Sequence, residues 1–213
     1  MLELLIKPLT ETIYMVGVST ILTVLIGLPL GAILVITSQD HIMPNKVVNT
    51  ILSYIVNITR SFPYIIFMIV LFPLTKLIVG TRIGTTAAIV PLTLAAIPFF
   101  ARIVESALMQ VPWGLIEAAL SMGATEFEVI KEVMIKEALS PIIMGVTTTI
   151  INILGYSAMA GSVGGGGLGD LAITYGYLRW QADVMIVTVI VLIVLVQLIQ
   201  SIGNFVAAKV NKN

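Results

Sequence analysis

Four long stretches of this chain, each of at least nineteen residues, contain no charged residue: Thr12–Gln39, Ile83–Ala101, Ala138–Gly169 and Val184–Ala208. A helix needs about 20 mainly apolar residues to cross about 30 Å of hydrocarbon. Each stretch is long enough to do so alone. A fifth candidate is split by Arg60 into Val47–Thr59 and Ser61–Thr75, with Pro63 and Pro73 in its second half. It reads as one broken or kinked helix, because proline removes a backbone donor and bends a helix unless neighbours satisfy the freed carbonyl. The expected fold is all-α and integral to a membrane. One transmembrane domain covers residues 1–213, with spans at about 13–36, 53–74, 85–103, 141–161 and 184–204.

Composition narrows the function classes. Charged residues make up 10% of the chain and hydrophobic ones 58%, whereas a soluble domain carries about 25% charge, which excludes an ordinary cytosolic enzyme. The formal net charge is zero, so the basic field that nucleic acid requires is missing and no nucleic-acid partner is expected. With no cysteine, disulfides and thiolate chemistry drop out. The first apolar stretch is far longer than the 7–15 residues of a signal-peptide core, and no basic run precedes it, so it reads as an anchor.

Five spans place the termini on opposite sides. With Lys209 and Lys212 in the cytoplasm, Lys46, Arg102, Lys131 and Lys136 join them, six cations against four outside (Lys7, Lys76, Arg82, Arg179). That bias follows the positive-inside rule and sets the N-terminus outside and the C-terminus in the cytoplasm. Tyr14, Tyr175, Tyr177 and Trp180 would then form the outer aromatic belt. In the first span Gly27 and Gly31 flank Pro29 four residues apart. The spacing suits a close backbone approach, or else reflects only the tolerance of membrane helices for glycine and proline.

Val104–Leu139 is the one sizeable polar block: eight of its thirty-six residues are charged, Glu105, Glu117, Glu126, Glu128, Lys131, Glu132, Lys136 and Glu137. Pro112 and Gly123 bracket a short helix with proline at its start and glycine at its end. Thr125 with Glu128 forms a capping box for a second helix, whose Phe127, Ile130 and Met134 recur at helical spacing. A loop this long implies work or a partner. Periodicity alone equally allows two amphipathic helices on the bilayer surface, held by Leu115, Met122 and Phe127.

The identities in this loop, at about 110–137, resemble the cytoplasmic coupling loop of ABC-importer permeases. Glu117-Ala118-Ala119, three residues, Gly123-Ala124, then Val133 and Ile135 follow that family's pattern of Glu-Ala-Ala, three residues, Gly, nine residues, Ile-x-Leu-Pro, with Lys136 where the family has proline. Val56-Asn57-Ile58-Thr59-Arg60-Ser61-Phe62-Pro63, the stretch from Val79-Gly80-Thr81 through Ile89-Val90-Pro91-Leu92-Thr93, and Gly155-Tyr156-Ser157-Ala158-Met159 are similar to the methionine-uptake members, and the similarity runs from about residue 10 to 205. The resemblance implies a permease of the bacterial cytoplasmic (inner) membrane that moves methionine by alternating access. It also implies a second copy of this chain, two copies of an ABC ATPase subunit that bind ATP and Mg, an external methionine-binding lipoprotein and surrounding membrane lipid. Glu117, Ala118, Ala119, Gly123 and Ala124 would carry the ATPase contact. Small Ala118 and Ala119 suit close helix approach, Gly123 a sharp turn, and Glu117 a cationic partner.

Other chemistry finds little support. The run Gly161-Ser162-Val163-Gly164-Gly165-Gly166-Gly167-Leu168-Gly169 lacks the Gly-Lys-Ser/Thr ending of a phosphate-binding loop, so it reads as backbone that bends, re-enters or lines a cavity. His41, beside Asp40, is the only histidine and reads as a solvated loop residue with no metal site. No carboxylate lies deep in a span, which argues against a proton-driven carrier. No nucleophile, base and orienting group come together in the spans, so no catalytic residues and no bound cofactor are expected. Asn152, Tyr156, Ser157 and Met159 are the candidates for a translocation pathway or gate. Asn152 and Tyr156 share one helix face, and they point either at a pathway or at a partner helix. Met159 would form an adaptable constriction or pack in the core. Arg60 lies near a span end or faces the bundle. The competing functional class is an autonomous channel or gradient-driven carrier whose loop is only a surface anchor.

Overall fold

A computed structural model describes residues 2–211. The described residues are helical throughout, apart from turns and loops. Four helices are long and apolar enough to span a membrane: α1 (Leu2–Ile36), α5 (Thr85–Leu108), α9 (Leu139–Gly161) and α11 (Ala182–Val210). Between them lie α2 (Lys46–Ser61), α3 (Tyr64–Val70), α4 (Phe72–Val79), α6 (Trp113–Ser121), α7 (Glu126–Glu128), α8 (Ile135–Glu137) and α10 (Gly167–Leu171). A π-helical turn at Val129–Met134 joins α7 to α8, and another at Ala172–Leu178 extends α10.

The fifth candidate, expected as one broken or kinked helix, is broken. Phe62 is extended (φ −79°, ψ 132°), as the residue before a proline tends to be, and Pro63 caps α3. The helix directions change by 108° across this break, so α2 and α3 form a bent pair. Pro73 breaks nothing further, because it lies in the first turn of α4, where its missing N–H has no helical partner to lose. The first helix starts well before residue 13. Lys7 and Glu11 extend it as an i,i+4 pair 3.9 Å apart. Lys212, used in the charge count, lies outside the described residues.

The most buried of the four long helices is α5, and it packs along α1. Two glycines set that approach. A Cβ on Gly27 would lie 2.9 Å from the Phe100 ring, and one on Gly31 would lie 2.6 Å from the Val104 Cβ. Both side chains also belong to, or adjoin, a core that runs out of the bundle into the polar loop. Phe100, Val104 and Leu108 of α5 join Ala32 and Val35 of α1, Ile116 and Ala119 of α6, Met134, and Ile142 of α9 in one apolar cluster. At the other end, Met15, Tyr64, Met68, Leu92 and Ile153 form a second cluster. By contrast α11 buries only Val184, Thr188, Gly203 and Ala207, a single narrow stripe. Val191, Leu192, Leu195, Val196 and Ile199 are half-buried against the core, and Ile186, Ile190, Ile193, Leu198, Ile202 and Phe205 face outward, as lipid permits.

Candidate functional site: the polar loop and the recesses beside it

The loop folds as two helical segments around a glycine turn. Pro112 precedes α6, and Gly123 closes it at φ +88°. The Gly123 and Ala124 N–H groups donate to the Leu120 and Ala119 carbonyls at 3.0 and 3.1 Å. A Cβ on Gly123 would meet nothing within 4 Å, so left-handed backbone is what requires glycine here. The capping box forms in full. Thr125 N–H donates to the Glu128 carboxylate at 2.8 Å, and Glu128 N–H to the Thr125 hydroxyl at 3.4 Å. The Thr125 N–H and the Thr125 hydroxyl, which also donates to the carboxylate at 2.8 Å, hold the Glu128 carboxyl below its usual range. Lys136, at the family's proline position, is exposed and pairs with Glu132, lowering that carboxyl too. The helical path therefore runs on to Ala138 and turns there (φ −86°, ψ 8°) into α9.

The five loop candidates divide between two faces. Glu117, Ala118 and Gly123 are exposed, Ala124 is half-buried, and Ala119 is buried against the chain's own core with Ile116. Only Ala118 of the two alanines therefore offers a partner close approach. Met122 (82% exposed) and Leu115 share the outer surface with Glu117. Phe127, expected on the second helix's apolar face, is 72% exposed, and Val129 takes the buried place with Met134. His41 is not a solvated loop residue. Its ring meets Trp113 edge-on at 5.7 Å and 80°, and desolvation lowers its pKa.

Three recesses adjoin one another along one side of the bundle. One of about 390 Å3 is bounded by Phe99, Thr148, Asn152, Tyr156 and Met159. The next, about 240 Å3, shares Phe99, Asn152 and Tyr156 and adds Arg60, Tyr64 and Phe67. A third, about 330 Å3, shares Phe99 and Arg60 and continues to Arg102 and Gln110, beside the loop. Asn152, Tyr156 and Met159 (46% exposed) thus lie on one surface. Ser157 does not: it is buried, and its hydroxyl donates to the Leu154 carbonyl at 2.7 Å. Sequence reasoning missed Phe99 and Tyr64. Tyr64 stacks flat on Tyr156, with centroids 4.5 Å apart, and no spacing rule links positions so far apart in the chain.

The glycine run packs at the far end from the loop. Gly164, Gly166 and Gly167 take positive φ, and Gly84 N–H donates to the Gly164 carbonyl. The chain turns back into α10, whose first N–H groups are claimed by α1. Gly167 N–H donates to the Glu11 carboxylate at 2.9 Å, and Leu168 N–H to the Thr12 hydroxyl at 2.8 Å. Among the described residues, no group of three side chains suited to a metal comes together.

Residues 23–212 match the family model described as "Binding-protein-dependent transport system inner membrane component". A relative from Vibrio cholerae, named probable D-methionine transport system permease protein MetI, is 52% identical over 209 residues, covering 98% of this chain and 93% of its own. The D-methionine transport system permease protein MetI of Escherichia coli K12 is 46% identical over 161 residues, 76% of this chain and 74% of its own. Among solved structures, a chain of the MetNI methionine ABC transporter in an inward-facing conformation superposes with a TM-score of 0.97 at 45% identity, over 99% of this chain and 97% of that one. A chain of an amino acid ABC transporter solved with histidines superposes with a TM-score of 0.76 at 20% identity, over 94% of this chain and 91% of that one, which shows a shared fold.

Proposed function

The chain belongs to the family of binding-protein-dependent transport system inner membrane components, and from that membership we propose that it is the permease subunit of an ATP-driven importer carrying methionine across the bacterial cytoplasmic membrane. Two copies pair with two ABC ATPase subunits, and an external binding lipoprotein delivers the substrate. ATP and Mg belong to the ATPase. The N-terminus faces outward, and the Glu117–Ala124 loop lies in the cytoplasm.

The observation that carries this reading is the continuity of the loop with the membrane core. Ile116, Ala119 and Met134 pack in the same cluster as Phe100, Val104 and Ile142. Close-packed interiors transmit displacement because their voids are small. A force applied to the outer face of α6, at Glu117, Ala118 and Met122, therefore reaches α5 and α9, which carry Phe99, Asn152 and Tyr156. Closure of the ATPases on ATP moves the loop, and the spans open alternately to the two sides.

Uptake of radiolabelled L-methionine into proteoliposomes tests this, with the chain and its ATPase in the membrane, ATP trapped inside and binding protein outside. Uptake should require the chain together with the ATPase, ATP and the binding protein. Gly123→Val forces a β-branched residue into the left-handed region at a cost of roughly 1–2 kcal/mol, and should lower uptake about tenfold while membrane insertion persists. Unchanged uptake in this variant would remove the coupling role, and uptake by the chain alone would favour a channel or gradient-driven carrier.

A further inference from the structure

The middle recess contains a cation without an anion. Arg60 lies in the last turn of α2 and borders the recess lined by Tyr64, Phe67, Phe99, Asn152 and Tyr156. Among the described residues, no carboxylate comes within ion-pair distance of its guanidinium. The neighbouring cation shows the contrast. Arg102 is tied to Glu105 at 2.6 Å and donates to the Asn57 side chain at 3.0 Å, so its charge is paired. Along α2, Arg60 is about 21 Å from Lys46, well away from the charged end of that helix. Arg60 is exposed, so its guanidinium is open to a ligand, and it is shaped to donate two parallel N–H bonds to a carboxylate.

The other walls define what such a carboxylate would be attached to. Tyr64 and Tyr156 form a flat double ring, stacked within 5° of parallel, Phe67 and Phe99 add further rings, and with Thr59, Arg60 and Asn152 the exposed lining is mostly polar. Aromatic faces and edges favour thioether sulfur and unbranched aliphatic chains. The Asn152 amide adds a neutral acceptor and donor. At about 240 Å3 the space is smaller than the roughly 300–1,000 Å3 of drug-sized sites, which suits one amino acid and excludes a peptide.

We infer that this recess is a transient binding site for a free amino acid with an unbranched apolar side chain, in which Arg60 takes the carboxylate, Asn152 the ammonium, and the aromatic walls the side chain. The inference rests on the transport reading and deepens it by placing a stopping point in the pathway. Binding is weak, roughly millimolar, because the recess is open on both sides to its neighbours and supplies no carboxylate for the ammonium.

The test uses the assembled complex of this chain with its ATPase in lipid nanodiscs, without nucleotide, photolabelled by a diazirine analogue of L-methionine and mapped by mass spectrometry. Label should enter the α5 and α9 segments around Phe99 and Tyr156. Excess L-methionine should compete, and L-methioninol, which lacks the carboxylate, should not. Arg60→Gln should reduce the label at least about fivefold, and Arg60→Lys should retain part of it. If Arg60→Gln fails to assemble, the wild-type competition by L-methionine against L-methioninol decides alone. Label absent from these segments, or equal competition by both compounds, overturns the site. The uptake assay separates the two proposals: uptake without recess labelling removes this site and leaves the importer, whereas absence of ATP-driven methionine uptake removes the importer itself.

Discussion

At Gly31 the chain has no room for a side chain, because the Ala101 carbonyl and the Val104 Cβ lie 2.6 Å from where a Cβ would stand. Gly31→Leu should therefore destabilise the detergent-solubilised protein by about 1–3 kcal/mol. Gly17→Leu, at an exposed position where a Cβ meets nothing within 4 Å, should leave the melting transition in place. His41 makes a second residue-scale prediction. Desolvation lowers its pKa below the ordinary 6.5, so the folded loop holds it neutral and the unfolded chain binds its proton first. The His41–Trp113 packing is accordingly intact above 6.5 and weakens as pH falls below that value. Trp113 fluorescence, read in a Trp180→Phe background, should change over that acid range and lose the change in His41→Gln. The sequence shows His41 as a lone loop residue, since its burial comes from α6, far along the chain.

Among the elements, α10 depends on α1. Its first N–H groups are satisfied by Glu11 and Thr12 rather than by a local cap, and Leu168 is fully buried. Thr12→Val keeps the side-chain shape but leaves the Leu168 N–H without an acceptor, which should cost about 1–3 kcal/mol. Hydrogen exchange at Leu168 should accelerate, with little change in α6. The loop helices behave differently, because their signals are local. Pro112, Gly123 and the Thr125–Glu128 box sit within a few residues of the turns they make, so these boundaries are legible from sequence and recur in the structure. The bent α2–α3 pair is legible only in part. Pro63 marks the break, yet the 108° angle comes from where Tyr64 and Met68 find burial against α5 and α9.

For the whole molecule, orientation is the open prediction with the simplest measurement. The chain has no cysteine, so single cysteines report position without a background. In intact cells, a cysteine replacing Lys7 should react with a membrane-impermeant maleimide, and one replacing Glu126 should react only after the cells are opened. The reverse pattern would invert the topology and place the loop away from any cytoplasmic ATPase. The candidate pathway was half legible. Asn152, Tyr156 and Met159 stand out as polar or polarizable residues in an apolar helix and do share a surface. Ser157 stands out equally but turns inward to bond its own helix.

The amino-acid sequence by itself determined that this chain is helical and membrane-bound, where most spans run, and that one polar loop interrupts them. Hydrophobic runs, prolines, glycines and caps act over a few residues, so those properties need no knowledge of the rest of the molecule. Only the tertiary structure decided which faces meet: Ala119 inward and Ala118 outward on one helix, Tyr64 stacked on Tyr156, Arg60 beside an aromatic recess, and the loop joined to the core through Ile116 and Met134. Those pairings depend on burial and close packing between segments distant in the chain, and local sequence pattern carries no record of the partner.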